Sequence, residues 1–197
     1  MLAYISWHRP RREVEQKAYE QALVRLHHSL ERRPPSGFRG SVAFRVAELP
    51  WLPPPAGAPP DAGYEDWYLL DGWAALGVLE EAVVARGHVS LHDAVARLSG
   101  QACGAVYRLS EGCPALAKAR IGVWIARAPG DSRVTFSDLL GDGMDGERSG
   151  LWRRCLGLGP APEYCLLAPE APAGVAAARL PAGWRAAVGA REALFGG

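Results

Sequence analysis

The sequence predicts an α+β chain in which the order strand, helix, strand, strand, helix, strand occurs once in full and then again in shortened form. The stretch AYISWHRPRREVEQKAYEQALVRLHHSL, Ala3 to Leu30, passes from a buried-strand pattern through a proline into an amphipathic-helix pattern. A weaker version of the strand and turn, RIGVWIARAPG, returns at Arg120–Gly130. Tyr164-Cys165-Leu166-Leu167 also echoes Trp67-Tyr68-Leu69-Leu70, an aromatic followed one residue later by two leucines.

Taken in order, Leu2–Trp7 is a short apolar run, most simply a buried strand. Its alternation puts Ala3, Ile5 and Trp7 on one face and Tyr4, Ser6 and His8 on the other. Pro10 suits the first turn of a helix, and Glu13 and Glu15 sit near its favourable pole. Val14, Ala18, Ala22, Leu26 and Leu30 then recur every four residues, widened by Tyr19 and Leu23, up to the break at Pro34-Pro35. Phe38–Val46 alternates as a second strand. Glu48–Gly63 is a proline-rich loop with one tryptophan, Trp51; so few backbone donors keep it out of a sheet. Tyr64–Asp71 reads as the third strand.

Leu76, Leu79 and Val83 then mark a second helix, preceded by Asp71 as its cap. Ser90 with Asp93 has the spacing of a capping box for a short helix carrying Leu91, Val95 and Leu98. Ala102–Leu109 is the fourth strand. Ile121–Ala128 restarts the order, Val134–Leu140 offers a stub of helix, and Leu151–Leu158 and Glu163–Leu167 are two more strands. Leu180–Leu194 is expected to supply a final helix or a strand-capped helix.

This order resembles the ferredoxin-like βαββαβ fold. Two such units, 1–112 and a shortened 117–197, packed sheet to sheet resemble the dimeric α+β barrel superfamily, in its members that fuse both units in one chain. The resemblance covers nearly the whole chain but rests on element order, with no catalytic motif to carry over. It implies small-molecule chemistry for some members, among them cofactor-independent monooxygenases, lactone isomerases and haem-binding enzymes, and fold alone does not choose among them. In the duplicated haem-binding barrels the proximal histidine is a feature of the second unit. All five histidines here lie at or before His92, so no cofactor is expected.

Composition narrows the partners. The chain of 197 residues is 49% hydrophobic with a formal charge of +1, which lacks the basic excess needed to track nucleic-acid phosphates. No apolar run reaches membrane-spanning length and no signal peptide is visible, so a cytoplasmic protein without membrane or nucleic-acid partners is expected, as monomer or homodimer. The four cysteines, Cys103, Cys113, Cys155 and Cys165, show no metal spacing. Cys155 and Cys165 stand across an expected hairpin, where either a disulfide or two reduced thiols would fit.

The candidate site lies at the end of the first strand. The fold places its third and fourth strands on either side of the first, which brings His8 to Glu65 and Asp66. His8 is the candidate general acid or base, with Asp66 orienting it. Tyr4 and Tyr68 would bound an aromatic pocket, Arg45 would hold an anionic oxygen, and Trp51 would anchor or lid the site. The face parity is expected to point Tyr4, Ser6 and His8 away from the helices, into the barrel. Two functions follow: a protein that binds or converts a small apolar or aromatic ligand, or a structural or interaction protein whose barrel is filled.

Overall fold

In the computed structural model, residues 1–54, 63–114, 116–128, 130, 146–170, 180 and 182–196 are described. Their order is β1 (Leu2–Pro10), α1 (Gln16–Arg32), β2 (Phe38–Val46), β3 (Gly63–Leu70), α2 (Trp73–Val84), α3 (Val89–Leu98) and β4 (Ser99–Gly112), then β5 (Ile121–Ala126), β6 (Gly150–Leu158), β7 (Tyr164–Ala168) and β8 (Arg185–Phe195). The strands close into one antiparallel barrel, β1-β3-β2-β8-β5-β7-β6-β4. As expected, β1 lies between β3 and β4, antiparallel to both. Among the described residues no helix is long and apolar enough to cross a membrane.

Several expectations are corrected. Pro10 stays in β1 opposite Ser99, after a shift in register, and α1 starts at Gln16. The Arg11 amide donates to the Leu98 carbonyl at 2.8 Å, so past the proline the chain is still tied to the end of α3 before it turns. Ser90 is inside α3, whose cap position is His88; that imidazole reaches back to Ser29 Oγ at 2.8 Å. The segment expected as a final helix is β8, a strand that bridges β2 and β5. The expected helix at Val134–Leu140 lies outside the described residues. All four cysteines are free thiols, with Cys155 exposed and Cys165 buried.

The barrel interior is filled by large aromatic side chains. Ala3, Ile5, Trp7, Phe44, Trp67, Tyr107, Trp124 and Trp152 share one cluster, and Trp124 lies edge-on to Trp7 at 5.2 Å between ring centres. On the outside of the first four strands, Leu26 and Leu30 of α1 and Ala75 and Leu79 of α2 cover Leu2, Tyr68, Leu70 and Val106. Both faces of β1 are therefore buried. Parity alone could not say which face met the helices, and the expectation had it reversed: Ala3, Ile5 and Trp7 point into the barrel, while Tyr4 packs under the helices.

Candidate active site

The candidate site is on the helix side of the sheet. A pocket of about 650 Å³ opens between β1, β3 and β4 on one side and α2 and α3 on the other. Its walls are mostly apolar, with Leu79, Val83, Val95 and Val106 among them, and its floor carries Tyr4, Ser6, His8, Asp66 and Tyr68. Gly104 on β4 makes room for one of these, since a Cβ there would stand 2.9 Å from the Tyr4 hydroxyl.

Alternation along β1 and β3 brings the floor together. Ser6 pairs with Asp66 across the ladder and His8 with Tyr64, so residues of one parity meet on the outer face. His8 Nε2 lies 3.0 Å from Asp66 Oδ2, and both residues are only 3% exposed. A second imidazole approaches from α1: His27 Nε2 stands 3.5 Å from Asp66 Oδ1, while its Nδ1 meets Ser41 Oγ at 2.7 Å. Tyr68 donates its phenol to Asp66 Oδ2 at 3.3 Å. Two rings brace the imidazoles, with Tyr64 parallel to His8 at 5.8 Å and Tyr68 parallel to His27 at 5.2 Å.

The other nitrogen of His8 starts a relay. His8 Nδ1 lies 2.8 Å from the Tyr19 hydroxyl, which lies 2.8 Å from Ser99 Oγ. Ser99 lines the pocket and here donates to the Val95 carbonyl at 3.0 Å. Each hydroxyl can both give and accept a hydrogen bond. With His8 charged the bonds run from Nδ1 through Tyr19 to Ser99, whose own proton goes to the Val95 carbonyl; with His8 neutral they run the other way, and Ser99 turns its proton from Val95 to Tyr19. Reversing the chain moves one proton between Ser99 and His8.

Electrostatics fix the charge of the members. Burial alone would raise the Asp66 carboxyl, but the two imidazoles outweigh it and hold Asp66 well below the ordinary carboxylate range. Burial pushes the phenols of Tyr19 and Tyr68 well above their ordinary values, and the Asp66 charge adds to it. Asp66 is therefore an anion, and the tyrosines are neutral carriers or donors. No group of three or more potential metal ligands clusters among the described residues. Nor does His8 have a ring nitrogen to give a haem iron, since both face protein partners.

Of the residues singled out from sequence, Tyr4, His8, Asp66 and Tyr68 meet at this pocket. Arg45 and Trp51 do not. Arg45 lies on the outer edge, 3.5 Å from Glu20 and 2.8 Å from Glu192. Trp51 sits at the barrel mouth against Trp7 and Trp124, with ring centres 5.5 and 5.1 Å away. It anchors the strap that Arg9 also fastens, through a 3.0 Å bond to the Leu52 carbonyl. Sequence reasoning missed Tyr19, His27 and Ser99 as site members. Tyr19, Leu23 and His27 recur every four residues on α1, a spacing that could have placed both polar rings over the sheet.

Comparison with known proteins gives a fold and no family. No protein-family model matches the chain, and no curated protein matches it. Among solved structures, an anthrone oxidase-like protein matches with a TM-score of 0.56 at 8% identity, over 98% of this chain and 93% of the other. A putative chlorite dismutase matches with a TM-score of 0.48 at 14% identity, over 98% and 95%. The first likeness supports the α+β barrel architecture; at that identity it says nothing of chemistry.

Proposed function

We propose that the chain binds a small, largely apolar or aromatic molecule in the pocket between its helices and its sheet, and acts on it as a cofactor-independent isomerase- or oxygenase-like enzyme. The observation that carries this reading is the buried His8–Asp66 pair at the floor of a mostly apolar pocket, joined by Tyr19 to a pocket-lining hydroxyl. The reaction class is removal of a proton from an acidic C–H or O–H of the substrate. Ser99 takes that proton as it passes its own to Tyr19, and Tyr19 passes its own to His8 Nδ1. The result is an imidazolium beside the Asp66 carboxylate and a delocalised substrate anion. An isomerase returns the proton to another atom of the substrate; an oxygenase lets the anion reduce dioxygen. Tyr4, whose phenol stays protonated, is the donor offered to a developing oxyanion, since Tyr68 gives its own proton to Asp66.

We also read residues 1–112 and 117–197 as two ferredoxin-like units. The strand order β4-β1-β3-β2 of the first half recurs as β8-β5-β7-β6 in the second, which supports duplication. The aromatic filling of the barrel favours a structural task for the interior, which supports a reading with the chemistry on the outer face.

A thermal-shift screen of uncharged phenols, aryl ketones and lactones tests the reading, followed by turnover assays on the hits with dioxygen present and absent. Tyr19→Phe cuts the relay yet keeps the ring; it should slow turnover about a hundredfold with affinity nearly unchanged. Turnover at the wild-type rate in Tyr19→Phe, or no compound that stabilises wild type more than His8→Ala, would sink the proposal.

A further inference from the structure

The mouth of the outer pocket is apolar. Among the described residues seven large apolar side chains are exposed, and three of them, Val84, Leu156 and Leu158, line this one pocket at 50%, 45% and 57% exposure. A single exposed leucine needs no explanation, but apolar side chains gathered at a pocket mouth mark a surface that something covers.

The register of the ladder shows which way the two leucines point. Leu156 stands opposite Val106 and Leu158 opposite Gly104, and Val106 packs under the helices on the outer wall. Residues directly opposite share a face, as do residues two apart on one strand. Leu156 and Leu158 therefore both look outward, in line with the pocket floor. Val106 is fully buried, whereas Leu156, one strand further on, is nearly half exposed. The cover of α2 and α3 thus ends between β4 and β6, and the floor continues beyond it as an open shelf. Val84, the last residue of α2, stands at the same rim.

The reactive end of the pocket and the shelf lie close together. A Cβ on Gly104 would stand 2.9 Å from the Tyr4 hydroxyl, so that hydroxyl lies over Gly104. Leu158 is beside Gly104 on the next strand, one strand spacing of about 4.8 Å away. A ligand whose oxygen meets Tyr4 comes to the shelf within the length of one aromatic ring. The three shelf side chains offer no hydrogen-bonding group, and the polar wall residues Glu80 and His92 stand on the helices instead. Hydrocarbon is what the shelf rewards. Three half-exposed side chains are also far smaller than the roughly 800 Å² that each partner gives to a standard protein interface, so a tail fits it better than a second copy.

We propose that the ligand of the outer pocket carries a hydrocarbon tail, held outside the helix cover by Leu156, Leu158 and Val84; this rests on the reading of that pocket as a ligand site. Calorimetric titration of the full chain with 4-methylphenol, 4-butylphenol and 4-hexylphenol tests it. One side of the tail stays in water, so each methylene should gain about half the free energy of full burial. That is about twofold in affinity per methylene, or about thirtyfold from methyl to hexyl. The double variant Leu156→Thr with Leu158→Thr keeps β-branched residues in the strand. It should bind 4-methylphenol as wild type does and lose most of the gain, whereas Val188→Thr, at an exposed valine of β8, should keep it. If 4-methylphenol binds but the longer phenols gain nothing, or gain equally in the double variant, the shelf is overturned and the pocket reading stands. If none of the three binds, the pocket reading fails for phenols and takes the shelf with it. Sedimentation velocity adds one more outcome: a wild-type dimer that the double variant turns into a monomer would make the shelf an interface between copies and overturn the proposal.

Discussion

Glu65 and Asp66 are adjacent in β3, and the pleat of the strand sends them to opposite sides of the barrel wall. They are almost equally buried, at 0% and 3% exposure, yet their carboxyls move in opposite directions. Asp66 faces two imidazoles, which overcome the effect of burial and lower it. Glu65 faces one guanidinium and two indole N–H groups, which offset burial only in part and leave it raised. Burial sets the cost of a charge, and the partners set how much of that cost is recovered. The outer carboxylate sits beside groups that can gain a proton, and this suits it to acid–base chemistry. The inner one sits among donors that keep their protons, and this suits it to holding Arg191 in place.

The largest effect is expected from splitting the inner pair. Arg191→Met leaves Glu65 buried among aromatic rings with no cation, a change that costs about 3–5 kcal/mol in comparable sites. Urea unfolding measures it. The double variant with Glu65→Gln should regain most of the loss, because what destabilises is the stranded charge. A loss below about 1 kcal/mol for Arg191→Met would mean that the indoles suffice, and the contrast with Asp66 would collapse.

The pH dependence of stability sharpens the comparison, because the two carboxyls should act on opposite sides of about pH 4. Asp66 in the folded chain lies below its ordinary value of 3.8. Its contribution is therefore complete above that value and is lost as pH falls through the folded one. Glu65 lies above its ordinary value of 4.5, so the folded chain holds that proton more tightly than the unfolded chain does. Stability should fall as pH rises from 4.5 through the raised value. Asp66→Asn should flatten the acid limb of a plot of urea midpoint against pH, and Glu65→Gln the limb above it. If both substitutions flatten the same limb, the assignment of the two environments is wrong.

The two sides were not equally legible in the sequence. His8 and Asp66 could be brought together because the fold lays β3 beside β1, and period-two alternation then fixes which residues share a face. What alternation could not supply was the identity of that face, since Trp7 and Tyr4 are equally plausible neighbours for a helix. The inner pair was less accessible still. Arg191 is 126 residues from Glu65, and it lies in RAAVGAREALF, whose alanines, glutamate and leucine favour a helix locally. Closure of the barrel overrides that preference: β8 has the edges of both β2 and β5 to pair with, and filling that gap satisfies far more backbone than an isolated helix would. Tyr19 was visible as part of the apolar stripe of α1. Its hydroxyl became a relay member only through Ser99, 80 residues away.

A last contrast concerns two arginines that stand one register position apart across the β2–β8 pair. Val46 is opposite Arg191 and Arg45 is opposite Glu192, so Arg191 points in and Arg45 points out. The Arg45 side chain is 30% exposed and bridges Glu20 and Glu192 at the surface, where water already screens both charges. Pairs of this kind contribute about 1 kcal/mol at most. Arg45→Ala should therefore cost no more than that in urea unfolding, against the several kilocalories expected for Arg191→Met. Because Arg45 does not line the outer pocket, the same substitution should leave the affinity of any ligand found there unchanged. A drop in affinity beyond about threefold, roughly 0.7 kcal/mol, would extend the site to the outer edge of β2 and return Arg45 to the role of anion holder that its sequence position first suggested.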